Sequence, residues 1–176
     1  DEEPGKIDLA KIPTLRAAFG KDGVLTAASS SKISDVAAAT VLMSAEEAGQ
    51  RGLKPLARIV AHAGHAQAPE WFTTAPVKAI SNVLAKAGWS VEDVDLFEVN
   101  EAFSCVAMAP MKDLGISHEK LNVNGGAVAL GHPIGASGAR LVVTLLHALR
   151  ARGVKKGVAS LCIGGGEATA VAIELL

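Results

Sequence analysis

The chain has 176 residues, enough for one domain of ordinary size and part of a second. Apolar residues make up 49 % and charged residues 20 %, which allows a real core and argues against disorder. A net charge of −1, with acids and bases mixed along the chain, argues against a nucleic acid or an anionic membrane as the main partner.

Residues 1–33 carry little periodicity. Leu15, Ala18 and Phe19 fit one helical face, and 22–34 is rich in Gly, Ser and Thr and reads as loop. The apolar run 37–43 predicts a buried strand, and 45–51 a helix stopped by Gly52. Residues 55–63 read as strand. Thr73 or Thr74 then caps a helix with Pro76 in its first turn and Val77, Ile80, Leu84 and Ala87 at helical spacing, ended by Gly88. A strand at 96–99 leads to a helix at 101–114, kinked at Pro110 and stopped at Gly115. Residues 121–123 are strand-like and 125–138 form a glycine-rich turn. A helix follows over 137–150, with Val142, Leu145, Leu146 and Leu149 on one face. Strands at 157–163 and 168–175 flank the turn 164–166. From residue 37 the order is β-α-β-α-β-α-β-α-β-β, an α/β layered domain, with the last two strands as an antiparallel hairpin at one side of the sheet.

Three clusters carry potential chemistry. Asn100-Glu101-Ala102-Phe103 lies where a strand gives way to a helix, at the sheet edge where α/β proteins keep ligands. Asn100 is either a helix cap or a side chain that orients a water or an acid. The segment 125–138 (GGAVALGHPIGASG) is rich in Gly and Pro yet otherwise apolar, which fits a buried turn presenting one polar group, His132. That imidazole is either a satisfied buried histidine or a general base and oxyanion donor. Cys162-Ile163-Gly164-Gly165-Gly166 puts a cysteine at a strand end beside free main-chain N–H groups, so Cys162 is either structural or a thiolate catalyst. The dinucleotide and phosphate-loop glycine motifs are absent, as are CxxC and HExxH, so no metal is expected. His62, His65, His118 and His147 have no motif context, and Cys105 reads as a small core residue. Two cysteines make no disulfide framework, so a reducing compartment is expected. Residues 1–5 look like the interior of a longer polypeptide.

Taken in this order and spacing, Asn-Glu-Ala-Phe, Gly-His-Pro and Cys-Ile-Gly-Gly-Gly resemble the C-terminal half of thiolases, acetoacetyl-CoA thiolases most closely, over nearly the whole chain. The resemblance implies a thiolase fold of two five-stranded mixed sheets layered with helices. Residues 1–33 would end a loop domain, 34–53 complete the N-terminal domain and 54–176 form the C-terminal domain. It implies coenzyme A and acetyl-CoA as substrates, with acetoacetyl-CoA cleaved or formed reversibly. A cysteine in an N-terminal half outside these residues would be acylated. His132 would activate that cysteine, and Cys162 would move the α-proton. Asn100 through a water, with His132, would make one oxyanion hole, and the Gly164 N–H would contribute to a second. Ser31, Ala27, Ala102 and Phe103 would contact coenzyme A, with Trp71 and Phe72 shaping the acyl pocket. Some relatives hold a monovalent cation near Ala27, Ala28 and Val128. Neither Cys105 nor Cys162 lies in the nucleophile motif, so the chain by itself is expected to be inactive, with the N-terminal half as partner in a homodimer or homotetramer. A cytoplasmic location is expected, with an organelle matrix as the alternative. Within the same resemblance stand a degradative 3-ketoacyl-CoA thiolase and a non-catalytic acyl-CoA-binding module. The chain departs from the family pattern at Ser29, Ser30 and Val36, beside the pantetheine loop.

Overall fold

The apolar residues of this chain sort into two clusters, one on each face of a single sheet. A computed structural model describes residues 3–176. Its helices and strands run α1 (Ala45–Gln50), β1 (Ala57–Ala66), α2 (Ala75–Ala87), β2 (Leu96–Val99), α3 (Ser104–Leu114), α4 (Ala127–Leu130), α5 (Ser137–Arg152), β3 (Lys156–Cys162) and β4 (Glu167–Leu175). The sheet order is β1-β4-β3-β2, with β2 parallel to β3 and the other pairs antiparallel. Alternation along the strands feeds both faces. Phe97, Val99, Val158, Cys162, Ala170 and Ala172 pack with Ile80, Val83 and Val106 of α2 and α3. Leu96, Ala159 and Ile173 pack with Leu141, Leu145 and Leu149 of α5 on the other side.

The helix signals in the sequence correspond to physical stops. Gly88, Gly115 and Gly153 follow α2, α3 and α5 in the left-handed region, at φ 69°, 71° and 67°. Thr74 occupies the cap position of α2 but does not cap it; its hydroxyl accepts from Gln67 Nε2 and donates to the Trp71 carbonyl. Helix α3 begins at Ser104 rather than Glu101, because Phe103 is still extended and bridges Ser30. It runs continuously through the buried Pro110.

Five expectations change. The expected five-stranded sheet has four strands among the described residues. The run 37–43 is irregular, with Val41 and Leu42 exposed and no ladder partner among those residues. The stretch 121–123 makes a single bridge, Phe97 to Leu121, because Asn122 turns left-handed at φ 47°. Its amide then stands in for a strand: Oδ1 accepts from Val99 N at 2.8 Å and Nδ2 donates to Val99 O at 2.9 Å. The β3–β4 hairpin is antiparallel as expected but central, since β1 flanks β4. Lastly, 127–130 forms a helical turn inside the expected glycine-rich loop.

Gly166 closes the hairpin at φ 96°, and a Cβ there would fall on the Gln67 carbonyl at the end of β1. Gly138, in the first turn of α5, has open space where a Cβ would sit. Gly166→Ala should therefore cost roughly 3 kcal/mol, from backbone strain plus a backbone clash, while Gly138→Ala stays within about 1 kcal/mol. Urea denaturation checks both; equal midpoints for the two variants would contradict the packing described for the hairpin.

Candidate functional site

The parallel ladder of β2 and β3 ends with Val99 opposite Ser160, and the Asn100 N–H then donates to the Ser160 carbonyl at 2.9 Å. Asn100 is thus set at the carboxyl end of the parallel pair, fully buried. Two residues upstream on the same side of β2, Glu98 is 1 % exposed. Both face α5.

The loop before α5 delivers His132. Gly131 is left-handed at φ 98°, and a Cβ there would fall on the Ser34 side chain. That absence of a side chain lets the His132 N–H donate to the Lys32 carbonyl at 2.7 Å. Pro133 starts a turn whose carbonyl accepts from Ala136 and Ser137 N–H at 2.6 and 3.0 Å, leading into α5. The imidazole is held at both nitrogens: Nδ1 lies 2.6 Å from Ser137 Oγ, and Nε2 lies 3.3 Å from Asn100 Nδ2.

One turn along α5, Arg140 reaches the same place. Its guanidinium donates to Asn100 Oδ1 at 3.4 Å and pairs with Glu98 Oε2 at 3.5 Å. Burial pushes the Glu98 carboxyl up to about 7, against the pull of Arg140 and with some help from Glu101. Burial also lowers His132, with the Arg140 charge adding to the effect, so the imidazole is neutral at neutral pH.

Glu101 has a different task. Its carboxylate accepts from the Val128 N–H and from Asn122 Nδ2, each at 3.1 Å, and a Cβ at Gly126 would fall on it. It clasps the turn 125–128 beneath the His132 loop.

Cys162 ends β3, one strand over. The strand alternation that sends Glu98 and Asn100 towards α5 sends Cys162 to the other side, into the cluster with Val99, Ala102, Phe103 and Phe72. Among the described residues no hydrogen bond joins its thiol to His132 or Asn100. Burial raises this thiol to about 11, with its own backbone N–H opposing and the Cys105 thiol adding. Gly164 is exposed just beyond, with open space around its Cα and no partner for its N–H among the described residues.

The residues expected to contact coenzyme A form a ribbon along this rim. Thr26 and Ser29 make a capping box around the turn that contains Ala27. The Ser31 N–H donates to the Ala102 carbonyl at 3.1 Å, and Ser30 bridges Phe103. Phe103 meets Phe19 and Phe72 edge to face, at 5.6 and 6.3 Å between centroids. Trp71 is exposed. Two surface clefts, of about 140 and 250 Å³, are lined by other residues, the first against α5 and the second beside α3 and Glu101. Among the described residues no group of three His, Cys, Asp or Glu gathers as a metal site.

The structure therefore joins Asn100 to His132 directly, packs Ala102 and Phe103 in the cluster that holds Cys162 on the other side of the sheet, and links the two through Ser31 N–H to the Ala102 carbonyl and the Lys32 carbonyl to His132 N–H. Sequence reasoning missed Glu98, Arg140 and Ser137. A charged residue within the apolar run Leu96-Phe97-Glu98-Val99 was the available signal for the first.

The family described as "Thiolase, C-terminal domain" matches residues 53–175, and "Thiolase, N-terminal domain" matches residues 1–46. An acetyl-CoA acetyltransferase of Chromobacterium violaceum is 56 % identical over 93 % of this chain and 42 % of its own length. The crystal structure of the Bacillus anthracis acetyl-CoA acetyltransferase superimposes with a TM-score of 0.96 at 48 % identity, covering all of this chain and 45 % of that one. Human mitochondrial 3-ketoacyl-CoA thiolase in complex with CoA gives 0.91 at 39 % identity, again over all of this chain and 45 % of that one. The chain spans less than half the length of each of these relatives.

Glu98 ties stability to pH. Its folded value of about 7 lies above the ordinary 4.5, so its contribution is fully present below pH 4.5 and is lost as pH rises through 7. Glu98→Gln removes that loss. Relative to the unsubstituted chain, its stability should improve by about 3 kcal/mol between pH 4.5 and pH 8. Urea denaturation at the two pH values measures it, and a constant difference would mean that burial does not raise the Glu98 carboxyl.

Proposed function

This chain belongs to the thiolase family, and on that premise we propose that it is the C-terminal catalytic part of a coenzyme-A-dependent acyltransferase that cleaves acetoacetyl-CoA with coenzyme A and forms it from two acetyl-CoA. The observation that carries the reading is the Asn100 Nδ2–His132 Nε2 contact at 3.3 Å, set at the carboxyl end of β2, with the buried Cys162 on the other side of the sheet at the end of β3 and Gly164, whose N–H has no partner among the described residues, just beyond it. The greater identity to acetyl-CoA acetyltransferases than to the 3-ketoacyl-CoA thiolase supports the short acyl chain.

In this scheme a nucleophilic cysteine comes from outside these 176 residues. His132, neutral because burial lowers it, takes the proton of that thiol. The thiolate attacks the thioester carbonyl, the C–S bond to coenzyme A breaks, the departing coenzyme A thiolate takes the Cys162 proton and leaves as a thiol, and an acyl-enzyme remains with Cys162 as thiolate. A second acetyl-CoA loses an α-proton to Cys162. Its enolate carbon attacks the acyl-cysteine carbonyl, a C–C bond forms and the cysteine thiolate leaves. Negative charge on the enolate oxygen is met by Asn100, through a water, and His132. Charge on the acyl-cysteine oxygen is met by the Gly164 N–H from the opposite side of the rim. Preorganised donors of this kind are typically worth about 3 kcal/mol each. A thiol raised to about 11 is protonated at rest, which suits Cys162 to the cleaving direction, where it gives its proton to the departing carbanion. Acting as base requires that bound thioester and neighbouring donors lower it.

The ribbon at Ala27, Ser31, Ala102 and Phe103 takes the pantetheine arm. The division into 1–33, 34–53 and 54–176, and assembly with the N-terminal part as a dimer or tetramer in the cytoplasm, belong to the same proposal. It is supported by the lengths of the relatives and by two cysteines that are both unpaired.

Combined with a nucleophile-bearing N-terminal part, the chain should catalyse coenzyme-A-dependent loss of acetoacetyl-CoA, and alone it should not. His132→Ala and Cys162→Ala should each lower kcat by roughly 10²–10⁴-fold, and Asn100→Ala by about 10–100-fold. Thiolysis monitored at the enolate absorbance of acetoacetyl-CoA measures all three, and unchanged rates would refute the assigned roles.

A further inference from the structure

Two side chains of α5 meet the Asn100–His132 pair, Ser137 at His132 Nδ1 and Arg140 at Asn100 Oδ1. Ser137 and Arg140 sit three residues apart on α5, on the same face of its first turn. Glu98 and Asn100 sit two residues apart at the end of β2, on the same face of the sheet. The guanidinium spans the two elements, pairing with Glu98 Oε2 at 3.5 Å and donating to Asn100 Oδ1 at 3.4 Å.

An arginine has donors only, so the oxygen of the Asn100 amide has to face it. The amide nitrogen is then turned towards His132, where Nδ2 donates to Nε2 at 3.3 Å. A ring nitrogen that accepts carries no proton. The single ring proton of a neutral imidazole therefore lies on Nδ1, where it donates to Ser137 Oγ at 2.6 Å. One guanidinium thus decides which way an amide points and, through the amide, which nitrogen of the imidazole is basic.

We propose that Arg140, steadied by Glu98, is the positioning residue that fixes the Asn100 amide and thereby the Nδ1–H tautomer of His132, leaving Nε2 free to take a proton. This rests on the acyltransferase reading above. Fold stability does not account for the pair. A buried Arg–Glu pair is often no more stabilising than apolar residues of the same volume. Here both Glu98 oxygens, and Nε and Nη1 of Arg140, lack a hydrogen-bond partner among the described residues.

The test uses the full-length enzyme that contains this chain, with ¹⁵N-labelled histidine. Long-range ¹H–¹⁵N spectra at neutral pH should show His132 protonated at Nδ1 and bare at Nε2. In the paired replacement Glu98→Leu/Arg140→Met, which leaves no buried charge alone, the amide is released. His132 should then populate both tautomers, and kcat should fall by about 10–100-fold while KM for the acyl-CoA changes less than about twofold. Arg140→Lys keeps the charge but lacks the planar fork that spans Glu98 and Asn100, so it should show the same tautomer mixture with a smaller loss of kcat. A folded paired variant with the original tautomer and kcat would overturn the proposal. Should the paired variant unfold, an unchanged tautomer in Arg140→Lys would overturn it instead. If the unsubstituted enzyme transfers no acyl group and Arg140→Lys still shifts the tautomer, the proposed function fails while the positioning role stands.

Discussion

The Asn100 N–H bonded to the Ser160 carbonyl is the last rung between β2 and β3, and the chemistry of the molecule is laid out around it. Parallel strands end together, so their carboxyl ends leave a shared rim at which both chains turn away. On the α5 side the rim carries a polar chain from Glu98 through Arg140 and Asn100 to His132 and Ser137. On the α2–α3 side it carries Cys162 in an apolar cluster. Burial acts on both sides in the same direction, favouring the uncharged form. It lowers His132, raises Glu98 and raises the Cys162 thiol. A neutral base and a protonated acid, kept apart by the sheet edge, are what a carbonyl lying across that edge would meet.

Two acidic residues three positions apart show how little residue type says about role. Glu98, inside the strand, is buried against α5 and faces a cation with imperfect geometry. Glu101, just past the strand, has its oxygens taken by Val128 N–H and Asn122 Nδ2 and works as a clasp for the glycine turn. Asn122 in turn covers the edge of β2 with its own amide, in place of a fifth strand.

The parts of the structure legible in the sequence are those decided locally. Gly88, Gly115 and Gly153 mark helix ends because a left-handed stop is a property of a few consecutive residues. The motif residues Asn100 and His132 were legible as candidates for the same reason. What was not legible depends on contacts distant in the chain. Arg140 reads as an ordinary charge on an amphipathic helix until the fold brings it to Asn100, 40 positions earlier. The run 37–43 has the composition of a strand, but a strand exists only with a partner, and none is present among the described residues. Leu121 begins a strand that Asn122 ends by adopting a positive φ. The hairpin was visible from its three glycines, whereas its central position followed from β1 pairing with β4, which no turn signal encodes.

The ribbon 27–34 touches both halves of the rim through its main chain, by Ser31 N–H to the Ala102 carbonyl and by the Lys32 carbonyl to His132 N–H. The imidazole is therefore suspended from the same strip of backbone on which a long, flexible thioester arm would rest. On the proposed reading, a thioester arm laid on that strip would bear on the same backbone that holds the proton acceptor, so substitutions within 27–34 would be expected to move both together.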